Sequence, residues 1–148
     1  MNILLLDRDE NLIDYIDIFN PEDEESLNAD SILTFSTFYK NIEKGYRILY
    51  QDRLNEWHEY IIQSIKNKHN SSDDIFLEVY AENSFYDTLG DYIEDKRPRN
   101  STATNALSEA LATSRWEVGV VENLGLNTTS FYRCSVKDAV QNKIVKVW

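Results

Sequence analysis

Residues 106–119 read ALSEALATSRWEVG, and the chain continues from there into VVENLGLNTTSFYRCSVKDAV at residues 120–140. Small and apolar residues recur at helical spacing before and within the first stretch, at Ala103, Ala106, Leu107, Ala110 and Leu111. Residues 115–122, RWEVGVVE, alternate as a strand does. A capping box at residues 135–138 heads a second apolar stripe, at Val136, Ala139, Val140, Ile144 and Val147. These patterns predict a helix, a strand and a capped helix.

The region before residue 84 predicts strands. Runs rich in apolar, β-branched and aromatic residues are separated by polar turns and occupy residues 2–6, 12–19, 31–39, 46–50, 55–65 and 75–80. The connections are too short for the crossover helices that parallel strands need, so the pattern predicts an antiparallel sheet or small barrel. In the 55–65 arm, Trp57 and Ile65 are predicted on one face, and Tyr60 and Ile62 on the other. The acidic run Asn20–Glu25 is predicted to be a solvated loop.

A change of period marks the predicted domain boundary. Ser84 and Asp87 have the spacing of a capping box, and apolar residues at helical spacing follow as far as Ile93, which predicts a helix over 84–94. The charged segment EDKRPRN at residues 94–100 contains Pro98 and is the best candidate for a boundary. The predicted fold class is α+β. A β-barrel-like domain occupies residues 1–97, and a partial helix–strand–helix subdomain occupies residues 98–148.

The composition excludes several classes of function. The 148 residues are 42% hydrophobic, enough for a packed core, and acidic residues outnumber basic ones 26 to 15. The formal net charge of −11 disfavours binding to nucleic acid or to an anionic membrane surface. A single cysteine, Cys134, leaves no intrachain disulfide. No charged leader and no bilayer-length apolar window is found, so we expect synthesis in a cytoplasm without membrane insertion.

The N-terminal sequence ILLLDRDENLID contains the strongest catalytic candidate. Asp7 and Asp9 resemble the first motif of haloacid-dehalogenase phosphatases, in which two carboxylates after an apolar strand act as nucleophile and acid/base beside Mg²⁺. Glu10 and Asn11 stand where that motif has Gly and Thr, and its later motifs are missing. A calcium loop starting at Asp7 fails as well, because Leu12 and Ile18 occupy the Gly and Glu positions. The segment is predicted to be a polar hairpin turn.

The remaining polar residues predict no active site. His58 lies beside Glu56 and Glu59, which could support a metal or a base in principle, but a solvated strand histidine is the favoured interpretation. No nucleophile elbow, phosphate loop or dinucleotide fingerprint is present, so we predict no catalytic residue, no cofactor and no metal. We expect structural packing at seven positions, Trp57, Leu107, Leu111, Trp116, Val136, Val140 and Ile144.

The sequence resembles the N-terminal region of the tail hub proteins of long-tailed bacteriophages, also called prophage tail endopeptidase, tail-associated lysin or minor structural proteins. ILLLDRDENLIDYI at residues 3–16 resembles the opening hairpin of that family. EWHEYIIQSI at residues 56–65 and IFLEVYAENSFYDTLGDYIEDKRP at residues 75–98 resemble its later barrel strands and exit helix. The most specific resemblance lies in ALSEALATSRWEVG and in SFYRCSVKDAVQNKIVKVW at residues 130–148.

The resemblance implies a structural role with no catalysis in this region. It implies the baseplate hub fold, in which three copies each give two barrels to a ring at the distal end of the tail tube. The implied partners are the distal tail protein and the tail tube or tape-measure components. Phage DNA passes through the ring without specific binding, and any peptidoglycan-cleaving domain lies C-terminal to this region. The implied location is the virion tail tip.

Two further expectations accompany this hypothesis. The apolar end at Val147 and Trp148 suggests the leading piece of a longer protein, and the charge suggests an acidic pore wall. The alternative from another class is a module that binds the host cell wall or a carbohydrate through exposed Trp and Tyr residues. A phosphatase that uses Asp7 and Asp9 is a remote third hypothesis.

Overall fold

The computed structural model describes residues 2–24, 31–52, 54–69 and 74–148. The chain divides into two compact units, Met1–Ser84 and Phe85–Trp148. The sequence had predicted the boundary after residue 97. The structure places it earlier because the segment Tyr92–Lys96 is a strand that pairs with Phe131–Ser135, which makes it part of the second unit.

The first unit is built around an antiparallel sheet of seven strands. The strands are β1 (Asn2–Leu6), β2 (Leu12–Asp17), β3 (Phe19–Glu24), β4 (Ile32–Thr37), β5 (Arg47–Gln51), β6 (Trp57–His69) and β7 (Ile75–Asn83). Their order in the sheet is β2-β1-β5-β6-β7-β4-β3. The predicted antiparallel sheet is confirmed, and so are the two hairpins that the sequence predicts, one across the first polar turn and one between residues 46–50 and 55–65.

The sheet is rolled, although its hydrogen-bonded order is open. β2 and β3 stand at opposite ends of that order, and only Ile18 separates them in the chain. Seven flat strands would hold the outer two about 29 Å apart, whereas the two steps from Asp17 to Phe19 span at most about 7 Å. The two ends of the sheet must therefore lie close together. Among the described residues no ladder joins β2 to β3, so the closed barrel that the sequence predicted is not seen.

The acidic run is a strand and not the solvated loop that the sequence predicted. Residues 20–24 belong to β3, and Glu25 lies outside the described residues. β3 pairs on one side with β4 and ends the sheet on the other. Pro21 and exposed charges are compatible with such a position, because an edge strand pairs on one side only and tolerates a residue without an N–H group. The polar composition of residues 20–24 is therefore that of an edge strand.

The core of the first unit lies on the inner face of the rolled sheet. It consists of Ile3, Leu5, Ile16, Ile18, Leu33, Phe35, Ile42, Ile48, Tyr50, Tyr60, Ile62, Leu77, Val79 and Ala81. The register of β6 shifts between Ile62 and Ser64, and such a bulge moves the following side chains to the other face. For this reason Ile65 packs against the same cluster as Tyr60, although strict alternation had placed these two residues on opposite faces.

The second unit combines a two-stranded sheet with helices. A 3-10 helix, Ser84–Leu89, begins at the last residue of the first unit, and β8 (Tyr92–Lys96) pairs antiparallel with β9 (Phe131–Ser135). Two α-helices, α1 (Ala103–Leu111) and α2 (Val136–Asp138), are present, and a π-helix (Ala139–Ile144) follows α2 directly. The side chain of Thr102 caps α1, and Ser135 Oγ accepts a hydrogen bond from the Asp138 N–H at 3.1 Å. The predicted cap at Ser135 is confirmed.

Two predicted elements of this unit are wrong. The predicted helix 84–94 is a 3-10 helix followed by β8, and the buried Ser84 Oγ finds no hydrogen-bond partner among the described residues. The predicted strand 115–122 has no ladder, and Val120 is 105% exposed. The first error arises because β8 takes its partner from residues 131–135, after a long connection whose end the local pattern does not reveal.

Six of the seven predicted packing residues lie in or against the core of the second unit. Leu111, Val136 and Ile144 are buried there with Ile93, Ala106, Ala110, Phe131 and Ala139. Leu107, Trp116 and Val140 are partly buried against this cluster. The seventh, Trp57, belongs to the first unit and is 57% exposed, contrary to the prediction. It begins β6 opposite Gln51, at the turn end of the hairpin and beyond the core.

Candidate functional site

The turn between β1 and β2 holds the predicted catalytic pair. Asp7 Oδ1 accepts hydrogen bonds from the backbone N–H groups of Asp9 and Asn11, each at 2.9 Å. Asp7 Oδ2 accepts from Asn11 Nδ2 at 3.0 Å. These bonds, led by that of the Asn11 side chain, lower the pKa of Asp7. The carboxylate therefore closes a hairpin turn, and the sheet around it is antiparallel, unlike the parallel sheet that the phosphatase interpretation requires.

The turn between β5 and β6 brings together a second polar cluster. One donor atom each of Asp52, Glu56 and His58 lies within 4.8 Å of the others. Asp52 Oδ1 accepts from the backbone N–H groups of Leu54 at 2.8 Å and Glu56 at 2.9 Å. Asp52 Oδ2 lies 3.2 Å from His58 Nε2. Both Asp52 oxygens thus already hold the turn together.

Electrostatics agree with this structural role for Asp52. The backbone hydrogen bond from Glu56 and the hydrogen bond with His58 lower the pKa of Asp52. Glu59, which the sequence placed beside His58, instead pairs with Arg47 at 3.2 Å. The sequence missed Asp52. The sequence feature that could have indicated Asp52 is an aspartate four residues before Glu56 in a short polar turn. In the structure, Asn55 of this turn has a φ of 64°.

An aromatic groove lies where β2 passes into β3. Phe19 stacks on Phe38, with ring centroids 5.1 Å apart, and meets Phe76 edge-on at 5.5 Å. Tyr15 and Phe38 are 64% and 56% exposed. The groove measures about 540 Å³ and is lined by residues 15–19 and 37–39. Sequence reasoning missed it because the rolling of the sheet brings the segments together.

The second unit carries a polar pocket of about 340 Å³. It is lined by three basic and three hydroxyl side chains, Arg97, Arg99, Thr128, Thr129, Ser130 and Lys143. The sequence analysis singled out none of them as a site. The residues come from three separate segments, and the charged boundary segment 94–100 was interpreted as a linker.

Backbone pairing fixes two walls of this basic pocket. Ser101 and Asn127 exchange two backbone hydrogen bonds, each of 2.9 Å. The Thr129 N–H donates to the Pro98 carbonyl at 3.0 Å. The Asn100 N–H donates to Thr128 Oγ1, also at 3.0 Å. The segments that carry Arg99 and the hydroxyl groups are therefore held in a defined register.

The cations of the basic pocket differ in their partners. Arg97 forms a two-pronged pair with Asp95, with Nε to Oδ1 and Nη2 to Oδ2 both 2.8 Å, which raises the pKa of Arg97. Arg99 and Lys143 are exposed, and neither has an ion pair within the part of the chain that the structure describes. Two uncompensated positive charges thus face one pocket, which makes it suited to an anion.

Charge is distributed unevenly between the units. The first unit has 18 acidic and seven basic residues, and the second has eight of each. The whole formal net charge of −11 therefore belongs to the first unit. The basic pocket is thus a positively charged surface on a unit that has no net charge.

Comparison with known proteins finds similarity among solved structures. No protein-family model matches the chain, and no curated protein does. A solved structure, the tail protein from Neisseria meningitidis MC58, is similar to it with a TM-score of 0.61 at 12% sequence identity. The match covers 94% of this chain and 43% of that one. Coarsely, then, the fold is that of a tail protein, and this chain spans less than half the length of its structural neighbour.

No helix among residues 2–24, 31–52, 54–69 and 74–148 has the length and apolarity required to cross a membrane.

Proposed function

We propose that this chain is a structural component of a bacteriophage or prophage tail. The observation that carries the proposal is the fold similarity to a tail protein over 94% of the chain. The polar turns add support, since the carboxylates of Asp7 and Asp52 are engaged by their own backbone. In this function the chain provides surfaces that bind other tail components, and it catalyses no reaction.

The more specific form of the proposal places the chain at the tail tip. There it forms a hub ring of three copies, which joins the distal tail protein to host-contacting or lytic domains that lie elsewhere. The rolled sheet of the first unit supports this form, because barrel-like units are the building blocks of such rings. The seam between β2 and β3 is then completed by assembly, which covers exposed strand edges.

The uneven charge suggests how the ring is oriented. We place the acidic first unit toward the central passage, because a negative wall repels DNA phosphates and does not retain them. A cryo-electron microscopy map of the tail tip tests this orientation. The expected map shows carboxylates of the first unit lining the passage, and a neutral or basic wall would contradict it.

Labelling of intact particles tests the proposal itself. We expect antibodies raised against this chain to decorate the tail tip of virions from the phage that encodes it, and a disrupted gene to yield particles without functional tails. Labelling along the tube only would reject the tip position while retaining the tail function. Absence of the protein from purified particles would reject both.

A second candidate function follows from the aromatic groove. Exposed aromatic rings such as Tyr15 and Phe38 offer flat apolar faces in a groove that Asp17 also lines, a combination that suits a sugar ring. The chain would then bind host cell-wall carbohydrate. Pull-down with purified cell walls, compared between wild type and a Tyr15→Ala/Phe38→Ala variant, tests it. Equal or absent retention of the two proteins would reject the idea.

A further inference from the structure

The basic pocket of the second unit is suited to an anionic occupant. Arg99 and Lys143 face it without ion pairs in the described residues, and three hydroxyl groups beside them can donate hydrogen bonds. Arg97 adds a guanidinium group that is already paired with Asp95. Uncompensated cations and hydroxyl donors together match the oxygen atoms of carboxylates.

The chain itself supplies two exposed carboxylates on β3. Glu22 and Glu24 on β3 are exposed, and neither has a hydrogen bond or ion pair among residues 2–24, 31–52, 54–69 and 74–148. Because successive strand residues alternate between faces, these two carboxylates project from the same face, about 7 Å apart along the strand. Asp23, between them, points the other way and accepts a hydrogen bond from Tyr60 Oη at 2.9 Å.

The exposure of Glu22 and Glu24 makes these two carboxylates accessible to another molecule. β3 ends the hydrogen-bonded order of the sheet, and among the described residues no ladder joins its outer edge to β2. Pro21 and the register shift between Phe19 and Glu22 disfavour the addition of a further strand to that edge. Contact through side chains is therefore the mode of association that this edge favours.

We propose that the basic pocket of one copy of this chain binds Glu22 and Glu24 of a second copy. This contact is head-to-tail: the donor and receptor surfaces are different, so repeated contacts build a ring or an open chain of copies. The uneven charge supports a second copy as the occupant, since the first unit carries all of the net charge of −11 and the pocket lies on the neutral unit. The inference rests on the proposed function in one respect: it names residues for the contact between copies that a ring needs.

Charge reversal followed by sedimentation equilibrium at low salt tests the contact. Arg99→Glu/Lys143→Glu is expected to weaken self-association roughly tenfold, since two exposed charge pairs are lost and replaced by repulsion. Glu22→Lys/Glu24→Lys is expected to weaken it similarly. The quadruple variant, which exchanges the charges of both surfaces and keeps the wild-type net charge, is expected to restore association. High salt should weaken the wild-type association as well.

A matched control separates the pocket from general charge effects. Lys146 is exposed on the same C-terminal segment as Lys143 but lies outside the pocket, where its Nζ donates to Asn142 Oδ1 at 2.8 Å. Lys146→Glu is expected to leave association unchanged. Circular dichroism verifies that every variant is folded.

Two outcomes of the sedimentation experiment would overturn the inference. One is a wild-type chain that stays monomeric at high concentration and low salt, and the other is a quadruple variant that fails to associate while the wild type does.

Titration with inorganic phosphate, monitored by the NMR signals of residues 97–99 and 128–130, is a second experiment. Phosphate binding without self-association would make the pocket a small-anion site and overturn the proposed contact. Neither result decides the proposed tail function, which is tested separately by the labelling of virions.

Discussion

The two units of this chain bury their cores in different ways. The first wraps a sheet of seven antiparallel strands around large side chains such as Phe35 and Tyr60. The second packs small residues of helices, Ala106, Ala110 and Ala139, against the short β8–β9 pair. The first unit carries the whole net charge, whereas the second is balanced. One chain thus combines an acidic β unit with a neutral mixed unit. In the proposed contact between copies, the first unit contributes carboxylates and the second contributes the basic pocket.

This difference shows where local sequence patterns are informative. In the first unit, hairpin partners follow one another closely, so alternation and turn residues define β1–β2 and β5–β6. In the second unit, β8 and β9 are separated by α1 and a long irregular connection. A pattern read over a few residues therefore assigned β8 to a helix.

Removal of a buried aromatic ring in one unit should have the largest effect and tests the independence of the two cores. Phe131 is fully buried in the second unit. We expect Phe131→Ala to cost about 3–5 kcal/mol of stability. Hydrogen exchange should become faster in β8 and β9 while β6 and β7 keep their protection.

Two variants serve as controls for this measurement. Tyr132→Ala removes a neighbouring ring that is 58% exposed, and it should change little. Phe35→Ala should show the reverse pattern, with faster exchange in the first unit. Equal loss of protection in both units of Phe131→Ala would show that the two cores unfold as one.

Two tryptophans provide an intermediate effect and compare the units directly. Trp116 is partly buried against the second core, meets Phe85 edge-on at 5.5 Å and lies under the guanidinium group of Arg115. We expect Trp116→Ala to cost about 2 kcal/mol, less than a fully buried ring would, because part of the side chain faces solvent. Trp57→Ala should stay within about 0.5 kcal/mol of the wild type. Urea unfolding followed by circular dichroism measures both, and equal midpoints would contradict the assignment of Trp116 to the core.

The smallest effect concerns the turn of the first unit and depends on pH. The pKa of Asp52 is lowered in the folded chain, so its stabilisation is present above the unfolded pKa, near 3.8, and is lost as the pH falls through the folded value. Asp52→Asn should therefore have a lower urea midpoint than the wild type at neutral pH. The difference should shrink in acid. A difference that does not change with pH would show that the charge of Asp52 contributes nothing to the turn.

The candidate surfaces were less predictable than the strands. Individual residues such as Arg99 and Lys143 are unremarkable in the sequence, because a pocket forms only when separate segments meet. The aromatic groove required the rolling of the sheet, and the polar turn cluster required the hairpin that brings Asp52 to His58. The Ser135 cap, by contrast, was readable, because its donor and acceptor lie three residues apart.

The sequence by itself determined the antiparallel strands of the first unit other than β3, together with α1, the cap of α2 and the acidic excess, since each depends on residue types close together in the chain. Only the tertiary structure decided which distant segments pair. In the structure the acidic run is an edge strand, and the boundary between the units lies at residue 84. Trp57 is exposed, and the basic pocket forms from residues of three separate segments. The physical reason is that hydrogen-bond partners and charge clusters far apart in the chain are selected by the packing of the whole unit, whereas periodicity reports only on neighbours.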